Sequence, residues 1–129
     1  MQPVPCFFFF CTFVRMDLKN RIQSLAKKYH SDIVSSRRHL HQNPELSFHE
    51  FETQKFVEQK LNEFGIADHR RMANTGVVAL IKGKNPEKRV VALRGDMDAL
   101  PILESGNKEY TSKNAGVMHA CGHDVHTSS

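Results

Sequence analysis

Five side chains able to bind a metal ion or carry a proton fall within eight residues of one another: His119, Cys121, His123, Asp124 and His126, in "MHACGHDVHTSS". In an extended backbone alternate side chains share a face, which would put His119, Cys121 and His123 on one side and Asp124 and His126 on another. Imidazole and thiolate are preferred donors to zinc and related divalent ions, so Cys121 and His123 can offer two donors to one centre. A lone histidine is usually a structural or surface residue, and it is the density of potential ligands that argues for more here. A zinc finger would need a second ligand pair, and the other cysteines, Cys6 and Cys11, lie far away in an apolar leader. Attack by a Cys121 thiolate with an imidazole as base stays open, although it leaves a second acidic cluster unused.

That cluster is "RGDMDALP", where Asp96 and Asp98 follow the apolar run that begins at Arg89. If strand geometry persists, carboxylates two residues apart project to the same side. The carboxyl end of a buried strand is where α/β enzymes often place their ligands. An Asp-capped loop is the plainer alternative. Neither a phosphate-cradling glycine loop nor a Gly-x-Ser-x-Gly elbow occurs in the chain.

The elements that must position these groups follow from periodicity. Leu18, Ile22, Leu25, Tyr29, Ile33 and Leu40 recur at helical spacing, predicting an amphipathic helix from Met16 to about His41 that Asn43-Pro44 ends. A second helix is expected to open at Ser47 with the reciprocal capping pattern "SFHE". It should bury Phe51, Val57, Leu61 and Phe64 and close at Gly65 in a left-handed cap. Two nearly continuous apolar runs, "GVVALIKG" (76–83) and "RVVALRGD" (89–96), read as strands covered on both faces and joined by the turn signal in "KNPEK".

The composition is globular, with 40% hydrophobic and 25% charged residues in 129, enough for one domain. The +4 net charge is scattered without an aromatic-interleaved stripe, which argues against nucleic acid as a partner. Three cysteines, two of them in the leader, do not make a disulfide framework, and a reducing, cytoplasmic setting suits a metal-binding thiolate. The leader, residues 1–15, is too short to span a membrane and lacks the charged flank and cleavage site of a signal peptide. It reads as an upstream extension before a natural start at Met16, with a secretory or anchoring segment as the alternative.

Four segments in order, "RRHLHQNPELSFHEFET", "TGVVALIKG", "VVALRGDMDALPI" and "GVMHACGHDVHTSS", resemble the amino-terminal part of the aminoacylase/carboxypeptidase-type metallohydrolases. The nearest branch holds N-acyl-amino-acid amidohydrolases, hippurate hydrolases and plant auxin-conjugate hydrolases. The resemblance runs from about Met16 to Ser129 and implies an α/β fold: the N-terminal part of a layered, zinc-peptidase-like catalytic domain with helices packed on a mixed sheet. Residues 16–129 would be cut off before the lid or dimerisation domain, so the intact enzyme would be a homodimer candidate. The resemblance assigns Cys121 and His123 as metal ligands and Asp98 a supporting catalytic role. Asp96 would line the site, while His119, Asp124 and His126 would support the loop. Two divalent ions, manganese or zinc with cobalt or nickel as options, would activate a water and polarise the amide carbonyl of a small N-acyl or N-aroyl amino acid. The catalytic glutamate and the remaining ligands of that family lie beyond the residues present, so the 129-residue chain is expected to be an inactive fragment. A non-catalytic metal-binding remnant or interaction module is the second reading, and a cysteine-dependent hydrolase the third.

Overall fold

The structure, a computed structural model, describes residues 7–129, with side chains from Asp17 onward. Two compact units meet in the chain at Val34 and Ser35. Helix α1 (Phe7–Gln42) makes up the first unit, and its last turns, from Ser35, belong to the second. Its carboxyl end falls where Asn43-Pro44 was expected to stop it, and the Asn43 side-chain amide donates to the His39 carbonyl at 2.8 Å. Leu18, Ile22, Leu25 and Tyr29 of the anticipated buried stripe are exposed. A helical stripe is buried only where another element lies against it, and the described residues of the first unit all belong to this helix. Leu40, in the second unit, is buried as expected. Residues 1–6 of the expected leader lie outside the described residues, and of 7–15 only the helical backbone is described. Among the described residues no helix is long and apolar enough to cross a membrane.

In the second unit α2 (Phe51–Glu63) lies against strand β2 of an antiparallel hairpin, β1 (His69–Met72) with β2 (Gly76–Ala79). Helices and sheet share the unit, as the α/β class requires. Of the expected mixed sheet, the described residues show this two-stranded pair and two isolated bridges, Leu46 with Ala99 (parallel) and Leu100 with Met118 (antiparallel).

Helix α2 closes as the sequence indicated. Gly65, at φ 73°, ends it in a Schellman arrangement with Ile66 N–H donating to the Leu61 carbonyl and Gly65 N–H to the Asn62 carbonyl. Its start is different. The helix opens at Phe51, not Ser47, and Ser47 does not cap it. The Glu45 carboxylate reaches over instead, accepting from the Glu52 N–H at 3.2 Å, the Thr53 N–H at 2.7 Å and the Thr53 hydroxyl at 2.8 Å. Anionic oxygens at a helix start satisfy free N–H groups and complement the dipole. Glu50, the expected box partner, is buried and accepts from the Thr75 hydroxyl at 2.6 Å, tying α2 to the hairpin loop.

The hairpin loop holds Ala73 and Asn74 at positive φ, and a Cβ on Gly76 would meet the Met72 carbonyl oxygen at 2.7 Å, so Gly76 is needed there. Strand β1 was not foreseen, because His-Arg-Arg-Met carries neither β-branched residues nor an apolar alternation. Within the run 76–83 only Gly76–Ala79 is strand, and 89–96 forms no ladder. Val90, Val91 and Leu93 are 86%, 82% and 96% exposed. The run has the composition of a covered strand, but the described residues provide nothing to pair with it.

The interior of this unit is mostly polar. Leu40, Pro44 and Ala99 are its buried apolar side chains, beside buried His41, Glu50, Thr53, Gln54, Thr75, His119 and Asp124. Buried polar groups must be hydrogen-bonded, so specific bonds, more than apolar burial, hold the site in place.

Candidate metal centre

Three segments meet at the site. Ala99 N–H donates to the Glu45 carbonyl at 2.7 Å, laying residues 96–100 beside 45–47. On the other side Leu100 and Met118 exchange two 3.0 Å backbone bonds, bringing residues 118–120 alongside. The first contact places Ser47 at Asp98. The second delivers the HACGHD segment to the same place.

Beyond Cys121 the backbone turns through Gly122, at φ 81°, a left-handed conformation that suits glycine. It then enters the short helix α3 (His123–Ser128), correcting the extended geometry assumed for this segment. Helical spacing puts His123 and His126 on one face, their ring centroids 5.6 Å apart, and sends Asp124 elsewhere. Gly95 lets this helix come close, since a Cβ there would meet the His126 carbonyl oxygen at 3.1 Å. The Thr127 hydroxyl fixes the approach by donating to the Asp96 carbonyl at 2.8 Å.

Asp98 and His123 are brought into direct contact. The His123 Nδ1 lies 2.8 Å from Asp98 Oδ1 and 3.0 Å from the Asp98 backbone oxygen, while Ser47 donates to Asp98 Oδ2 at 2.6 Å. Both atoms facing Nδ1 are acceptors, so Nδ1 carries a proton, and in the neutral ring Nε2 keeps its lone pair. The Ser47 bond, opposed by burial and reinforced by His123, holds the Asp98 carboxyl below the usual carboxylate range. Asp96 pairs with Arg94 at 2.6 Å, and one ligand-capable atom from each of Asp96, His123 and His126 lies within 4.8 Å of the others. Cys121 is a free, exposed thiol.

His119 and Asp124 are both buried, with opposite surroundings. Neither ring nitrogen of His119 has a hydrogen-bond partner among the described residues. Burial pushes its imidazole down, with Asp124 opposing and His41 and His123 adding to the effect. Asp124 is saturated: its Oδ2 accepts from Arg37 Nε and His41 Nδ1, each at 2.8 Å, and its Oδ1 from the Val125 N–H at 3.0 Å. Ser47, Arg37, His41 and Glu104 were not singled out from the sequence. The first three stand within or beside "RRHLHQNPELS", but no local spacing connects them to residues 98 and 124.

The family model described as peptidase family M20/M25/M40 matches residues 92–129, the stretch containing both acidic and histidine-rich clusters. An N-acyl-L-amino acid amidohydrolase of Geobacillus stearothermophilus is 50% identical over 109 residues, covering 84% of this chain and 29% of that protein. A hippurate hydrolase of Campylobacter jejuni is 52% identical over 93 residues, covering 72% and 24%. Among solved structures, a Bacillus subtilis dinuclear metal binding peptidase from the M20 family superposes with a TM-score of 0.73 at 46% identity, covering 79% of this chain and 28% of that one. The chain thus spans less than a third of the length of these relatives. Residues 92–129 thus match the model of peptidase family M20/M25/M40, and over most of its length the chain is similar to proteins of that kind.

Proposed function

We propose that the chain is part of a metal-dependent amidohydrolase that cleaves the amide bond of N-acyl or N-aroyl amino acids, with Cys121 and His123 as metal ligands and Asp98 as the carboxylate supporting His123. The observation that carries this reading is the 2.8 Å contact between Asp98 Oδ1 and His123 Nδ1. A carboxylate on one imidazole nitrogen fixes the tautomer, aims the ring and makes the other nitrogen a better donor. The donor set fits a divalent ion: one thiol, imidazoles, and carboxylates at Asp96 and Asp98, with the unpartnered buried ring of His119 nearby. Two ions, manganese or zinc by preference, would supply Lewis-acid polarisation of the scissile carbonyl and activation of a water. The residues of this chain hold and orient: Ser47 keeps Asp98 ionised, Asp98 keeps the His123 Nδ1 protonated, and Asp96 and His126 line the site.

A catalytic zinc usually has three protein ligands, and amide hydrolysis also needs a general base. Cys121 and His123 alone fall short of that, so hydrolysis is expected from a chain as long as the relatives and not from these 129 residues. A panel of N-acetyl and N-benzoyl amino acids, assayed for both lengths with and without manganese or zinc, tests this. Activity only in the longer chain, abolished by chelation and by Cys121→Ala, is the expected result. Activity that survives chelation would instead favour a cysteine-dependent hydrolase.

The convergence of Asp96, His123 and His126 favours a second reading, a non-catalytic metal-binding module, since these groups could hold an ion without the rest of the enzyme. Tight metal binding by the longer chain without hydrolysis of any member of the panel would support it.

A further inference from the structure

We infer that His41 is a positioning residue, a buried imidazole that braces the Asp124 end of α3 against Glu104 and so sets the direction in which His123 points. Its ring is 2% exposed and lies between two carboxylates, with Nδ1 2.8 Å from Asp124 Oδ2 and Nε2 3.1 Å from Glu104 Oε1. Each ring nitrogen therefore has a carboxylate oxygen within hydrogen-bond distance. Arg37 also donates to Asp124, at 2.8 Å, and Lys108 approaches Glu104 at 3.8 Å. The Ser112 N–H donates to Glu104 Oε2 at 2.8 Å. Arg37, His41, Glu104 and Asp124 thus form one connected polar group inside a unit with little apolar core.

The arrangement matters because α3 has six residues, too few to hold a helix by its own backbone bonds. His123 and Asp124 are adjacent, about 100° apart around the helix axis at 3.6 residues per turn. Anchoring Asp124 to His41 and Arg37 therefore fixes the rotation of α3, and with it the side to which His123 and His126 turn. The reach extends to Ser112 through Glu104, so one imidazole ties together α1, the 104–112 loop and α3.

The consequence for metal binding rests on the proposed ligand role of His123, whereas the brace itself does not, and the test separates the two. On the full chain, amide exchange should show α3 losing protection in His41→Gln. Thr75→Val, which strips buried Glu50 of its hydroxyl partner at the α2–hairpin junction, is the stability control and should leave α3 protection unchanged. Cobalt(II) titration should show affinity about tenfold lower in His41→Gln, the lower end for residues that orient a ligand, and unaltered in Thr75→Val. If His41→Gln does not fold, the double variant His41→Gln with Glu104→Gln, which replaces both partners of that contact, takes its place with the same expected losses. Exchange in α3 unchanged by replacement of His41 overturns the brace. Equal loss of α3 protection in Thr75→Val overturns it too, by reducing it to general stability. A wild-type chain that binds no cobalt overturns the metal reading alone, and the exchange then decides the brace.

Discussion

Replacing Asp98 by alanine should weaken divalent metal binding by about tenfold, or about 1.4 kcal/mol, the low end of the 10–100-fold range for groups that orient a metal-binding histidine. The structure explains why the low end applies. The His123 Nδ1 faces two acceptors, the Asp98 carboxylate at 2.8 Å and the Asp98 main-chain carbonyl at 3.0 Å. Alanine removes the first and keeps the second, so the tautomer that leaves Nε2 free survives, while the negative charge and the tighter restraint are lost. Asp98→Asn should lose less still, because its amide can keep an oxygen on His123 and turn its NH2 toward Ser47, whose hydroxyl then accepts. Calorimetric titration of zinc or manganese into the chain and its two variants measures this directly, with circular dichroism as a check on folding. No loss in Asp98→Ala would sever Asp98 from metal binding. A loss well beyond a hundredfold would make Asp98 itself a ligand and refute its supporting role.

Three further outcomes follow from the packing. Glu45→Ala removes the acceptor of two α2 N–H groups and of the buried Thr53 hydroxyl, and urea unfolding should show a loss of about 1–3 kcal/mol, with less for Glu45→Gln. Gly76→Ala forces a Cβ to within 2.7 Å of the Met72 carbonyl and should destabilise the hairpin, lowering the protection of the β1–β2 amides in hydrogen exchange. The Ser112 N–H, against the opposing effect of burial and with help from His41 and Lys108, holds the Glu104 carboxyl below its ordinary value. A carboxylate whose folded value is depressed stabilises the fold above its unfolded value, near 4.5, and that stability is lost as pH falls through the folded value. The chain should therefore lose stability below about pH 4.5, and Glu104→Gln should flatten that part of an acid titration followed by circular dichroism.

What could be read in the sequence was what local chemistry decides. Gly65 closes α2 because a left-handed residue past the last turn is a property of that turn alone. Asn43-Pro44 ends α1 for the same kind of reason. Ser47 had the right neighbours for a capping box, yet its hydroxyl goes to Asp98, a charged acceptor 51 positions away that no local pattern reveals. The apolar run at 89–96 announced burial without naming what would bury it. At the site, the two segments singled out by residue type, HACGHD and DMDALP, come together through Asp98 and His123, while the assumed extended backbone set Asp124 beside His126. The glycine turn and short helix set them apart, giving Asp124 to Arg37 and His41 and pairing His126 with His123. The buried network through Glu104 spans residues 37 to 124 and could be seen only in three dimensions.

The central claim, that Cys121 and His123 together bind a divalent ion, is tested most directly by the absorption spectrum of the cobalt(II)-loaded chain. A thiolate bound to cobalt gives an intense near-ultraviolet charge-transfer band, and the account expects that band in the wild-type chain. It should disappear in Cys121→Ser, and it should weaken with affinity in His123→Ala. A cobalt complex that lacks the band, or keeps it after Cys121→Ser, would contradict the claim and leave the cluster of Asp96, His123 and His126 as the metal-binding group.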